Sequence, residues 1–415
     1  MKQMSLKASN KRIVSFLLVG GLLLLSFLIA YIFDTEILRL AGFDAEEDVF
    51  MDFFNSVRHA MGGDPYNKSG IYPPLCYVIY WAMGILMNNK TAAPILLGEA
   101  SALGLRGLLG PMLVYLFYFS VTLVLFMKLM RVICDKMSSV KCTVMIFLIC
   151  FSLPFSFQFG RANIIFLGLL GTLAFFCWKD SENKYLREVA YICLALSAAV
   201  KIYPAIFGLF LVAEKKWKAA IRTVIYGVIA FFGPFLAIKG GLKNILLLID
   251  NMLFATNDTM VEDIGYRINF AAILERLFGE FAYINVIVFL LSGLCVISFF
   301  VAKSEWKKML ALTSLLVGFP KMSFLYVGIF LVIPLLFFLQ SDKKEKMDWV
   351  YFFFFVIIFF PLPLIGKYAR IEAAAEYYKK SMSFYTVQVA AGIFLMTIVL
   401  VIETFWKNFF LKKST

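Results

Sequence analysis

Charge is scarce in this chain. Charged residues are 16% of the 415, with 40 Lys and Arg against 27 Asp and Glu, where soluble domains carry about a quarter. Histidine is nearly absent: His59 stands alone, which all but excludes a histidine-based metal site or a Ser-His-Asp triad. The seven cysteines (76, 134, 142, 150, 177, 193 and 295) form no C-x-x-C pair. They lie in or beside apolar runs and read as small core residues, neither disulfides nor metal ligands. Alternating strand patterns, which a membrane barrel needs, are missing. So are a soluble domain, a low-complexity linker and a clear internal repeat. No small-x-small cleavage site precedes Asp34, so the first apolar run is expected to stay as a membrane span and not to be removed as a signal peptide.

What remains is hydrophobic: 62% of the residues, arranged as recurring runs of roughly 16–24 residues. The expected fold class is an all-α polytopic membrane protein, residues 1–415 as one integral membrane domain. The runs predict twelve spans, at about 13–33, 107–130, 142–158, 163–178, 188–202, 204–213, 219–238, 281–302, 309–320, 323–339, 348–366 and 383–405. Residues 73–87 are apolar but too short for a comfortable crossing and begin Pro73-Pro74, so they read as a juxtamembrane or re-entrant helix in the first outer loop. Threading the chain this way collects the whole of the +13 net charge on one face and leaves the other slightly acidic. That is the positive-inside asymmetry, with both termini cytoplasmic. The basic charge is thereby topogenic, and no nucleic-acid partner is implied. The loops long enough to build a site, 34–106, 239–280 and 367–382, all fall on the outer side.

The first of these loops holds Asp44, Glu46, Glu47, Asp48 and Asp52 within nine residues. By acidity alone the stretch reads as a solvated loop. Its neighbours argue for more. Arg161 and Asn163 occupy a tight outer turn, Gly160-Arg-Ala-Asn163, and Lys201 ends an apolar helix just before Tyr203 and Pro204. Lys321 follows Pro320 at another short turn, and Tyr266-Arg267-Ile-Asn269 precedes an apolar segment in the second outer loop. A cation at a membrane boundary is costly unless it snorkels or is paired. Several of them facing one carboxylate cluster suit a site that handles both phosphate and a proton.

These residues resemble a known family. Asp48-Val-Phe, Gly63-Asp-Pro-Tyr66 and Tyr72-Pro-Pro-Leu75 are similar to the first outer loop of glycosyltransferase family 87, the polyprenol-phosphate-mannose-dependent mannosyltransferases. They also resemble glycosylphosphatidylinositol mannosyltransferase I. Gly160-Arg-Ala-Asn163 is similar to the family's Gly-Gln-x-Asn turn, with Arg in place of Gln. Val200-Lys-Ile-Tyr-Pro204 looks like its Lys-x-x-Pro, and Glu214-Lys-Lys-Trp217 resembles its basic Trp-containing turn. The likeness covers roughly residues 34–220.

The resemblance implies a GT-C fold with about twelve membrane helices. It also implies an inverting transfer of a sugar, mannose by family default, from a polyprenyl-phosphate donor to an extracytoplasmic glycolipid or glycan of the cell envelope. A first-loop carboxylate then acts as base. Family spacing counted from Tyr66 selects Asp48; counted from Val49-Phe50 it selects Glu46; Asp52 is the third candidate. Lys201, Arg161, Asn163, Tyr203, Lys321, Tyr66, Tyr72, Arg267 and Asn269 are the candidates for holding donor phosphate and substrate. No cofactor is expected. Glu46 and Asp48 are too weak a set to predict a divalent cation. The lipid bilayer is the expected environment, as a multi-pass plasma (inner) membrane protein. The competing readings are a polysaccharide polymerase or ligase with a diphosphate-linked donor, and a lipid flippase or transporter, which would place its polar groups on broken helices at mid-membrane.

Overall fold

The structure is a computed structural model that describes residues 2–33, 49–98, 101–257, 267–279, 281–362 and 384–406. Among these residues it is helical, with one isolated antiparallel bridge between Arg267 and Phe324. In chain order the main helices are α1 (Lys2–Phe33), α2 (Met51–Met61), α3 (Pro74–Met87), α4 (Leu109–Ile133), α5 (Ser139–Cys150), α6 (Leu153–Arg161), α7 (Ile165–Trp178), α8 (Lys184–Val200), α9 (Leu209–Ala213), α10 (Trp217–Phe232), α11 (Asn244–Asn257), α12 (Phe270–Phe278), α13 (Ile284–Val301), α14 (Glu305–Gly318), α15 (Val332–Gln340), α16 (Asp348–Phe359) and α17 (Phe384–Phe405). Among the described residues each of the twelve apolar runs contains helix.

Five segments are long and apolar enough to cross a membrane: Asn10–Ile32, Leu109–Ile133, Trp217–Ala237, Ile284–Val301 and Phe384–Phe405. A sixth follows if α5 and α6, bent by 61°, count as one span. Pro154 stands at the second position of α6, where its missing N–H breaks the ladder at the bend. The other apolar helices have 10–17 residues, below the roughly 20 that cross a bilayer unaided. Helix α3 starts at Pro74 as expected, because proline's fixed φ suits a first turn and its absent N–H would be unbonded there anyway.

The chain divides into two compact units, with one boundary inside α6 after Gln158. The first unit holds residues 1–44, 134–158 and 261–415. Its core is α14, α15, α16 and α17, with Leu310, Leu335, Phe355 and Ile393 fully buried. The N-terminus of α12 is capped by Asn269, whose side chain accepts from the N–H of Ala272 at 2.8 Å.

The second unit holds residues 45–133 and 159–260. Helices α7 and α8 pack so closely that a Cβ added at Gly171 would lie 2.5 Å from the Cys193 carbonyl oxygen. The hydroxyls of Thr172 and Ser197 meet across the same contact at 3.0 Å. Helices α2 and α3 pair in the same fashion: a Cβ on Gly84 would meet Met61 at 2.4 Å. Around them Phe53, Phe54, Val57, Tyr66, Cys76, Tyr77 and Tyr80 form one aromatic-rich core. Helix α2 lies inside what the sequence marked as loop. Its buried residues, Phe53, Phe54, Val57 and Ala60, follow a helical period.

Candidate functional site

Seven of the residues singled out by sequence meet in the second unit: Asp52, Tyr66, Tyr72, Arg161, Asn163, Lys201 and Tyr203. Asp52 stands in the first turn of α2. Arg161 is the last residue of α6. Ala162 then takes φ 55, a left-handed conformation unusual for a residue with a Cβ. That reversal turns the chain so sharply that Asn163 follows Arg161 on the same side. The Asn163 carbonyl oxygen of the side chain accepts from the N–H of Ile165 at 3.0 Å, fixing the start of α7.

The carboxylate of Asp52 is held from both sides. Arg161 Nη2 lies 2.6 Å from Oδ1, and Asn163 Nδ2 donates to Oδ2 at 2.8 Å. The same amide donates to the hydroxyl of Tyr72 at 2.9 Å. Asn163 is fully buried, and the Asp52 side chain is 13% exposed against 27% for Arg161. A charge-assisted pair this close and this sheltered is among the stronger polar contacts a protein makes. The Tyr72 ring carries the cluster on to Lys201, whose ammonium sits 4.2 Å from the ring centroid. Tyr203 offers a second ring at 5.9 Å. Among the described residues no carboxylate lies within ion-pair distance of Lys201.

Lys201 is where it is because α8 ends there. It is the C-cap in extended conformation, its N–H bonded to the Ser197 carbonyl, and Pro204 prevents the α-helix from continuing through the next turn. Tyr66 plays a supporting part. It is 1% exposed, its hydroxyl donates to the Tyr72 carbonyl at 3.2 Å, and its ring meets Tyr77 edge-on.

Residues that sequence reading passed over complete the frame. The N–H of Phe50 donates to the Gly160 carbonyl at 2.7 Å, and Arg106 Nη1 donates to the Val49 carbonyl at 3.0 Å. The end of the acidic stretch is therefore pinned beside the Arg161 turn. Asn251 of α11 donates to the carbonyls of Tyr66 and Gly70 at 2.7 and 3.1 Å. Cys76 donates its thiol to the Val200 carbonyl at 2.8 Å, tying α3 to the residue before Lys201. Only Asn251 carried a sequence signal, as a polar residue on an apolar helix.

Asp44, Glu46, Glu47 and Asp48 lie outside the described residues, as does Tyr266. Lys321, Arg267 and Asn269 belong to the first unit. There Asn269 Nδ2 donates to the carbonyls of Pro320 and Lys321 at 2.9 and 2.6 Å, while Arg267 is 2% exposed and pairs with Glu275 at 3.1 Å. Asn269 is thus committed to a helix cap and a turn. The Lys321 side chain is exposed.

The second-unit cluster can bind an anion at Lys201 and hold polar hydrogens in fixed directions around Asp52. It pairs that capacity with a deep aromatic wall. No curated protein matches the chain. The stretch that does find a match begins just before Tyr72 and takes in Arg161, Asn163, Lys201 and Tyr203, while Asp52 precedes it. Residues 71–244 match the family model of glycosyltransferase family 87, which indicates a membrane glycosyltransferase.

Proposed function

We propose that the chain moves a sugar, mannose by family default, from a polyprenyl-phosphate donor to an extracytoplasmic cell-envelope glycolipid or glycan, with inversion. The observation that carries this is Lys201. A sheltered ammonium over the Tyr72 ring, without a carboxylate partner among the described residues, sits in one cluster with Asp52, Arg161 and Asn163. An unneutralised cation in such a place suits a phosphate monoanion or dianion arriving with its lipid.

In the proposed step the acceptor hydroxyl oxygen attacks the anomeric carbon. The bond from that carbon to the phosphate oxygen breaks, and its electron pair leaves with the phosphate, whose charge Lys201 balances. The hydroxyl proton passes to a carboxylate of the acidic stretch. Asp52 already serves Arg161 and Asn163, so its part is to orient them. Asp48, directly before the pinned Val49-Phe50, is the proposed base, with Glu46 the other candidate. A twelve-span GT-C arrangement with both termini cytoplasmic belongs to the same proposal.

The test is transfer from synthetic polyprenyl-monophosphate sugars in membranes. Asp48→Asn should lower kcat by about 10²–10⁴ with the donor KM little changed. Full activity in Asp48→Asn would remove it as base. A requirement for a diphosphate-linked donor would replace the reading with a polymerase or ligase, and lipid movement across proteoliposomes without glycosylation would replace it with a flippase.

A further inference from the structure

A second charged surface of the same unit lies away from the cluster around Asp52, where the turn after α7 meets the turn before α10. It forms an open groove of about 680 Å³, within the size range of roughly 300–1,000 Å³ typical of ligand sites. Lys179, Arg187, Lys215, Lys216, Lys218 and Arg222 line it, with Asp180, Tyr191 and Trp217.

The cations divide into two kinds. Lys179 bonds Asp180 and Glu214, Lys216 bonds the same two carboxylates, and Arg222 pairs with Glu188. Burial pushes Asp180 up, but its hydrogen bonds from Lys179 and Lys216 outweigh that and hold it below its ordinary value. Those charges are spent. Arg187 spends one nitrogen on the carbonyls of Ser181 and Glu182 at 2.7 and 3.1 Å. Lys215 and Lys218 are exposed and have no carboxylate partner among the described residues. Six cations thus face three carboxylates. No side chain caps the N-terminus of α10, so the helix dipole adds to the positive field there.

From this basic rim an apolar stripe runs down α10. Trp217 is 57% exposed, and Ile221, Val224 and Val228 follow it on the same face, exposed by 60%, 65% and 50%. The stripe belongs to a segment long and apolar enough to span a membrane. Tryptophan at its head is the residue that favours the level of lipid headgroups.

We propose that this surface is a binding site for one anionic glycerophospholipid. Its phosphate lies among Lys215, Lys218 and Arg187, its glycerol beside Trp217, and an acyl chain along Ile221, Val224 and Val228. Basic clusters adjoining a membrane span attract anionic headgroups, and the continuous stripe selects a lipid over a free anion. The site does not depend on the catalytic reading.

The experiment uses the full chain purified in detergent and mixed with defined lipids, with bound lipid counted by native mass spectrometry. Wild type should retain phosphatidylglycerol about tenfold over phosphatidylcholine, and millimolar inorganic phosphate should leave that preference intact. The double variant Lys215→Gly, Lys218→Gln should bring the two lipids within about twofold. Lys215 has φ 57, a left-handed value at which glycine is at ease, so this variant should fold at least as well. Lys243→Gln, a charge removed elsewhere in the unit, should change nothing. Equal retention of both lipids by wild type, an unchanged preference in the double variant, an equal loss in Lys243→Gln, or displacement by phosphate alone would each overturn the proposal.

Discussion

Lys307 of the first unit and Lys201 of the second are treated in opposite ways, with Lys179 of the second unit, bonded to Asp180 and Glu214, on the side of Lys307. In the first unit Lys307 is 5% exposed, with Glu345 and Glu403 each 2.7 Å from its ammonium. The hydroxyl of Tyr351 donates to Glu403 at 2.7 Å, and the rings of Trp306 and Tyr351 flank the cation at 5.1 and 5.3 Å. In the second unit Lys201 also lies against aromatic rings. The nearest carboxylate of its cluster, Asp52, is already engaged by Arg161 and Asn163. One lysine is neutralised within the fold; the other has no carboxylate partner among the described residues, and the proposed donor phosphate would supply one. Burying a cation costs several kcal/mol unless it is paired. A cation left unbalanced in a folded unit is therefore a feature retained against stability, and such features gather at functional sites.

The contrast can be broken experimentally. Lys307→Met should be the most destabilising change. Removing one partner of a buried ionic group leaves the others uncompensated, at a cost of about 3–5 kcal/mol. Thermal unfolding in detergent would register it, while transfer activity per folded molecule should hold. Loss of activity without loss of stability would erase the distinction between the two lysines.

Tyr72 sharpens it further. Tyr72→Phe keeps the ring under Lys201 and removes only the hydroxyl that Asn163 reaches, a loss of about 1 kcal/mol. Tyr72→Leu removes the ring as well, and the cation–π contribution of about 1–2 kcal/mol goes with it. The donor KM should rise in that order. Equal effects from the two variants would mean that the ring does not hold Lys201.

The smallest expected effect concerns His59 on α2. Burial, aided by the positive charges of Arg58 and Lys68, holds its imidazole below the ordinary value of 6.5. Above that pH the folded and unfolded chains both carry it neutral, and it costs nothing. As pH falls below 6.5 the unfolded chain takes up a proton first, so stability drains until the lowered folded value is passed. His59→Gln should flatten the acid limb of a stability–pH profile. An unchanged acid limb would assign the sensitivity elsewhere.

Much of the fold is legible in the sequence, since apolar runs in a membrane protein can satisfy their backbone only as helix. The start of α3 at Pro74 and the break before Pro154 are written locally in the prolines. Helices α2, α11 and α12 were hidden because they are short and lie between spans, in stretches read as loop. Asn269 ahead of an apolar segment was the available cap signal for α12. Of the candidate site, the residue types at 161, 163 and 201 were legible and the pairing was not. Asp52 and Arg161 are 109 residues apart, and no local pattern joins an acid in the first turn of one short helix to the last turn of a distant one. The left-handed Ala162 that brings Asn163 round beside Arg161 has no signature in an Arg-Ala-Asn triplet.

The central claim is that Lys201 keeps its charge for the donor phosphate. Its most direct measurement is the donor KM and kcat of Lys201→Met in membranes, at equal amounts of folded protein. Losing the ammonium should relieve a half-buried, unpaired charge, so thermal stability should hold or rise, while kcat/KM falls about a hundredfold or more. Transfer within about twofold of wild type would contradict the account.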